Sequence, residues 1–197
     1  MAETLAPNPA ADLDARLRFT LSDVQAMLAA GVLDDDQRYE VLDGEIVPMM
    51  APNPPHMRVK RWLARELTLQ LGREFWIDSE PAFLLEIDGD FAIPDILVYP
   101  QAFRPEDVRG PDVLLLIEVA HSSLKKDSGR KARLYARFGV RDYWVIDLAR
   151  RIVHVHRDPT PEGYGWKRRV MANEPIEALL LPEFSLRLDA LPRVGAG

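Results

Sequence analysis

Two carboxylates interrupt apolar runs in this chain. Asp95 lies within Ile93-Pro94-Asp95-Ile96-Leu97-Val98, and Glu118 within Leu114-Leu115-Leu116-Ile117-Glu118-Val119. Burying an unpaired carboxylate is costly, so such a group is normally paired, protonated or bound to a metal. Alternation along an extended chain sets Ile93, Asp95 and Leu97 on one face, and Leu116, Glu118 and Ala120 on one face. The two acids converge if their strands are neighbours. Magnesium takes one or two carboxylates and completes its shell with waters and phosphate oxygens. The competing reading is two separate buried acids, each satisfied by an arginine or a backbone donor.

A basic stretch follows. Between Leu124 and Arg141 there are seven basic residues and one acid, Asp127. On a helix, Lys131 shares its face with Leu134, Tyr135 and Phe138, whereas Arg130, Arg133 and Arg137 form a different stripe. A lysine on the apolar side could neutralise the acid pair and stabilise charge developing on a phosphate. It could equally pair with Asp127 four residues earlier, or extend its stem to the surface. Glu40 precedes the Asp43-Gly44 turn and His56 opens the next helix. Each could assist a metal-bound water or carry a proton, or be structural. Together these residues outline a hard-cation site beside an anion-binding surface, as in a metal-dependent nuclease.

Residues 1–17 are rich in Ala, Pro and Asp and predict a loose tail; residues 18–190 predict one domain and 191–197 a second tail. Thr20 or Ser22 caps a short helix through Ala30, with Gly31 as its stop. Arg38–Leu42 and Glu45–Met50 flank Asp43-Gly44, a hairpin signal. A helix from His56 to Leu71 carries the stripe Val59, Leu63, Leu67 and Leu71. Strands are predicted at Phe75–Ser79, Ala82–Ile87, Phe91–Tyr99 and Val113–Ala120. The last is apolar throughout, which suggests burial on both faces. A helix from Lys126 to Phe138 ends at Gly139. Strands at Asp142–Asp147 and Ile152–Arg157 come next, then a turn over Pro159–Gly165, a strand at Trp166–Met171 and edge pieces at Ala178–Leu181 and Phe184–Leu188. This order predicts an α/β (α+β) fold, a mixed sheet flanked by helices.

Composition constrains the class further. At 197 residues, 47% hydrophobic and 28% charged, the chain fits one globular domain. It contains no cysteine, which excludes disulfides and thiolate metal sites and fits a reducing cytoplasm. No apolar run approaches the ~20 residues of a membrane span, and the start lacks a secretory signal pattern. The net charge is −6, which by itself disfavours nucleic acid. Its distribution is uneven, with 8 basic and 18 acidic side chains in residues 1–100 but 17 basic and 13 acidic in residues 101–197. An acidic protein can still present one basic face. His154 and His156 without a third ligand make a poor zinc site. Ser122 and Ser123 beside His121 do not make a triad. Trp144 and Trp166 read as packing residues, and no glycine-rich phosphate loop is present.

Three blocks carry a family resemblance. They are Arg38-Tyr39-Glu40-Val41-Leu42-Asp43-Gly44-Glu45-Ile46-Val47 with Met49, Ala51-Pro52 and His56; Pro94-Asp95-Ile96-Leu97-Val98 with Ile117-Glu118-Val119; and the long run from Asp127 to Asp147. Together they resemble the Uma-two family of restriction-endonuclease-like domains, within the PD-(D/E)XK nuclease superfamily. The resemblance covers Ser22 to Arg169. It implies a restriction-endonuclease-like mixed-sheet core and divalent-metal-dependent hydrolysis of DNA phosphodiesters. It maps Asp95 and Glu118 onto metal ligands, aided by the Val119 backbone carbonyl, with Mg2+ as the cation and Mn2+ as a substitute. The superfamily's lysine two residues after the glutamate is missing, since Ala120 stands there, and Lys131 takes its place. Glu40 and His56 match further polar positions. Lys126, Arg130 and Arg133 are phosphate-contact candidates, and a homodimer would allow both strands to be cut. One departure is Ala120-His121-Ser122-Ser123 in place of a Ser-Pro-Ser-like turn. The rival readings are a catalytically weak or inactive nuclease fold that acts as a nucleic-acid-binding or interaction module, and a hydrolase of smaller phosphoesters.

Overall fold

Thr20 and Asp23 cap each other reciprocally: each side chain accepts the other's backbone N–H, which starts helix α1 (Leu21–Ala29). The computed structural model describes residues 17–191 apart from Pro52 and Ser122. The expected tails therefore fall outside the described residues, except for Leu17 and Leu191. Strands β1 (Tyr39–Leu42) and β2 (Glu45–Pro48) turn at Asp43-Gly44, where both residues have positive φ, as a two-residue hairpin requires. Helix α2 (Pro54–Leu71) begins before the expected His56, because Asn53 caps it and prolines fill its first positions, where a missing N–H is harmless. Its stripe of Val59, Leu63, Leu67 and Leu71 is buried.

Strands β3 (Phe75–Ser79), β4 (Phe83–Leu84), β5 (Phe91–Ala92), β6 (Ile96–Pro100) and β7 (Leu115–Ala120) follow. A helical segment then comes in three parts: α3 (Leu124–Lys126), a π turn (Asp127–Lys131) and α4 (Ala132–Arg137). The chain continues as β8 (Asp142–Asp147), β9 (Ile152–Thr160), β10 (Gly163–Met171), β11 (Ile176–Ala178) and β12 (Leu181–Leu186).

Several expectations are corrected. The run Phe91–Tyr99 is two strands, because Pro94 cannot donate to a ladder and the chain changes sheets there. Phe91 pairs with Val41, whereas Ile96 pairs with Ser79 and Ile117. Asp95 thus sits at the elbow before β6, not inside a strand. The strand expected at Ala82–Ile87 shrinks to β4. β9 runs on to Thr160, beyond the end of its pairing with β8 at Arg157, so Pro159 disrupts no ladder on that side. The expected α-helix from Lys126 carries the π turn and begins at Leu124. The edge pieces are β11 and β12, with their turn between Ala178 and Leu181.

The main sheet has the order β10-β9-β8-β7-β6-β3. Only β7 and β8 are parallel, and the helical segment makes their crossover. A second sheet has the order β2-β1-β5-β4. On one face of the main sheet, α2 and the β11–β12 hairpin bury Leu63, Leu67, Ile117, Trp144 and Phe184. On the other, α4 and the second sheet bury Leu42, Phe83, Leu116, Tyr135 and Tyr143. Every residue of β7 and β8 is buried, which explains their unbroken apolar character. The fold is mixed α/β, as expected, and among the described residues no helix is long and apolar enough to cross a membrane.

Candidate active site

The central pairing sets the two acids together. β6 and β7 are antiparallel, with Ile96 opposite Ile117, so the next step of the register puts Asp95 opposite Glu118. Opposed residues point to one face, with Cβ atoms about 4.5–5.5 Å apart. Both acids line a cleft of about 470 Å³ between the two sheets, α2 and the start of the helical segment.

Asp95 is held from two sides. Its Oδ2 accepts the Val119 N–H at 2.7 Å and meets His56 Nε2 at 3.0 Å. An ionised carboxylate only accepts, and toward that form of Asp95 His56 donates from Nε2. Val119 directs its N–H toward the β6 side. In a strand, N–H and C=O of one residue point the same way, so the Val119 carbonyl faces that side too, and Val119 is among the residues that line the cleft.

Glu118 meets the helix. Its Oε1 accepts from Lys131 Nζ at 2.8 Å and from the Tyr135 hydroxyl at 3.0 Å. Lys131 Nζ also reaches Glu40 Oε1 at 2.6 Å, leaving one of its three donors over. Glu40 is fully buried. It accepts the Ile93 N–H at 3.0 Å, and its Oε2 meets Lys126 Nζ at 3.2 Å. Lys126 and Lys131 are five residues apart. On an α-helix their directions would differ by about 140°; the π turn, with its i to i+5 spacing, lets both reach Glu40. Lys131 does not ion-pair with Asp127. The Asp127 carboxylate instead accepts the Ser123 hydroxyl at 2.5 Å.

Charge in the site is unbalanced. Glu40, Asp95, Glu118 and Asp127 surround two lysines, Lys126 and Lys131. Burial works against the Glu40 charge, but Lys131 and Lys126 hold its carboxyl below the usual range. Burial pushes the Glu118 carboxyl well above that range against the pull of Lys131, and Asp127, Asp95 and Glu40 push the same way. Burial also opposes the Lys131 charge, yet Glu118, Glu40 and Asp127 hold its ammonium above its ordinary value. Such a cluster takes up either a proton or a cation.

Magnesium fits these residues. Asp95 Oδ1 and Glu118 Oε2 carry no hydrogen bond among the described residues, and both side chains line the cleft. Among the described residues no group of three or more His, Cys, Asp or Glu is placed to hold a metal ion by itself. Magnesium needs none, since waters and substrate oxygens fill most of its shell.

The expected site residues divide into two groups. Glu40, His56, Asp95, Glu118, Val119, Lys126 and Lys131 come together. Arg130 instead binds the β1–β2 hairpin, through the Leu42 carbonyl and Glu45 at 2.9 Å, and Arg137 joins Asp43 there at 2.8 Å. Arg133 is exposed, with its Cγ by Gly163 at the start of β10. Tyr135 and Asp127 join the site without having been assigned to it, although helical spacing from Lys131 offered the signal for both. Glu80, Lys60 and Arg38 form a rim network: Glu80 binds Lys60, and Arg38 at 2.8 Å. No local pattern marked them. His121 lines the cleft. His156 packs between the rings of Tyr143 and Tyr164, at 5.3 and 5.6 Å, as an ordinary strand residue.

A six-stranded mixed sheet with acids at one end of its central strands, backed by a helix-borne lysine, defines a restriction-endonuclease-like fold. The family model Uma2, described as "Putative restriction endonuclease", matches residues 22–189, and the chain belongs to that family. No curated protein matches the sequence significantly. Among solved structures, a protein described as "a putative nuclease belonging to DUF820" from Anabaena variabilis ATCC 29413 superposes with a TM-score of 0.68 at 16% identity, covering 88% of this chain and 97% of its own. At that identity the likeness speaks for the fold.

Proposed function

We propose that this protein is a divalent-metal-dependent endonuclease that hydrolyses DNA phosphodiester bonds. The observation that carries this reading is the opposition of Asp95 and Glu118 in one cleft, each with an oxygen free of hydrogen bonds, beside the ammonium of Lys131. Asp95 and Glu118, with the Val119 carbonyl, would hold Mg2+, or Mn2+ in its place. When bound, the cation supplies an activated water and neutralises charge on the scissile phosphate. The chain's own residues do the rest. His56 and the Val119 N–H fix the orientation of Asp95. Tyr135 and Lys131 fix Glu118, and Lys131 keeps one N–H for a phosphate oxygen. Glu40 anchors both lysines. A homodimer would bring two clefts to opposite strands of a duplex.

The test is plasmid nicking with Mg2+, Mn2+ or EDTA, comparing wild type with Asp95→Ala and Lys131→Ala. Metal-dependent nicking by the wild type alone is the expected result. Equal activity in all three proteins sinks the mechanism.

A further inference from the structure

We propose that the α4-facing side of the β9–β10 edge, carrying Arg133, Lys167 and Arg169, binds the phosphate backbone of a nucleic-acid strand outside the cleft. This rests on the nuclease reading and names where its substrate continues.

The register across the main sheet places the surface. Glu118 lies opposite Val145, Val145 opposite His154, and His154 opposite Arg169. Cross-strand partners point to one face, so Arg169 shares the face of Glu118. It stands three strand spacings away, about 14 Å. The adjacent row runs Leu116, Tyr143, His156 and Lys167. Arg133 projects from α4 beside the start of β10. A strand leaving the cleft across this face meets Arg169 and Lys167 within a few nucleotides.

Charge supports the same surface. The cations of the cleft and hairpin are engaged: Lys126 and Lys131 by Glu40, Arg38 by Glu80, Arg130 by Asp43 and Glu45. Arg168, on the opposite face of β10, is tied to Glu174 at 3.0 Å. Arg133, Lys167 and Arg169 are exposed and form no ion pair among the described residues. In a chain with a net charge of −6, these are cations without internal partners. Charged side chains also guard sheet edges against pairing. Edge defence alone does not require cations beside imidazoles, however. Burial lowers the pKa of His154, and Arg169 lowers it further; Lys167 does the same to the buried His156. A polyanion laid along this face would relieve that crowding.

The test uses Arg133→Ser/Lys167→Ser/Arg169→Ser, with Arg168→Ser as the opposite-face control. Binding of a fluorescent DNA duplex is followed by anisotropy over a KCl series without divalent cation. Hydrolysis of bis(p-nitrophenyl) phosphate with Mg2+ is followed in parallel. The triple variant should bind more weakly, and its log K against log[salt] slope should fall by about 0.9 per lost contact. Diester hydrolysis and the Arg168→Ser control should match wild type. Unchanged affinity and slope in the triple variant overturn the surface. A wild type that hydrolyses the diester but binds no duplex overturns it too, and turns the cleft's reading into a hydrolase of smaller phosphoesters; unchanged binding by the triple variant leaves the endonuclease reading standing. Salt-sensitive binding lost in the triple variant, in a protein that turns over no diester, retains the surface and removes the nuclease reading.

Discussion

Lys131 Nζ donates to Glu118 Oε1 at 2.8 Å across 13 residues of chain, and the same ammonium reaches Glu40 at 2.6 Å in the other sheet. This bridge ties the β1–β2 sheet to the central strand through one side chain. Lys131→Met leaves the buried Glu118 without its cation and Glu40 with Lys126 alone, and we expect a loss of about 3–5 kcal/mol. Urea denaturation measures it. Adding Glu118→Gln should restore part of the loss. An unchanged midpoint in the single variant would show that the bridge carries no stability.

Tyr135 donates to the same Glu118 oxygen at 3.0 Å. Tyr135→Phe keeps the ring in its core and removes one bond to a charged acceptor, at a cost of about 1.5–3 kcal/mol. Metal-dependent cleavage should fall far less than in Asp95→Ala. Nicking rates of the two variants, measured at equal folded fraction, decide this.

The cation should be detectable without turnover. A ligand that binds only the native state raises its stability, by about 1.4 kcal/mol at ten times its Kd. Thermal melts with increasing Mg2+ should rise for wild type and stay flat for Asp95→Asn. A parallel rise in both would place the bound ion elsewhere.

His156 sets a pH dependence separate from the site. Burial between two tyrosine rings, reinforced by Lys167, lowers its pKa from 6.5 to about 4. Between these values the unfolded chain binds the proton that the folded chain refuses. Stability should therefore fall as pH drops through that window and level off below it, by up to about 3 kcal/mol. His156→Phe should flatten this part of the curve in urea melts taken from pH 7 to 4. A curve of unaltered slope would assign the effect to other groups.

Local signals in the chain were enough for much of the fold. Asp43-Gly44 specified its hairpin, the stripe Val59 to Leu71 its helix, and the apolar runs of β7 and β8 their central burial. Asp95 was legible as a chemical oddity, but its setting was not. Pro94 breaks the strand and sends the chain from one sheet to the other, so Asp95 lies at the junction. Arg130 and Arg133 looked alike on a helical projection. The hairpin captures one and β10 adjoins the other, and helical spacing contains neither neighbour.

The sequence by itself marks which side chains are chemically expensive to bury: Asp95, Glu118 and Glu40 between apolar neighbours in the chain, and Lys131 on the apolar side of a helix. Tertiary packing brings Asp95, Glu118 and Lys131 to one cleft, with Glu40 buried in contact with Lys131. Antiparallel register opposes Asp95 to Glu118, and the second sheet delivers Glu40. The π turn, a backbone irregularity with no composition of its own, lets Lys126 and Lys131 grip Glu40 together. Propensity and periodicity are properties of neighbours along the chain, whereas these contacts join residues from 13 to more than 80 positions apart.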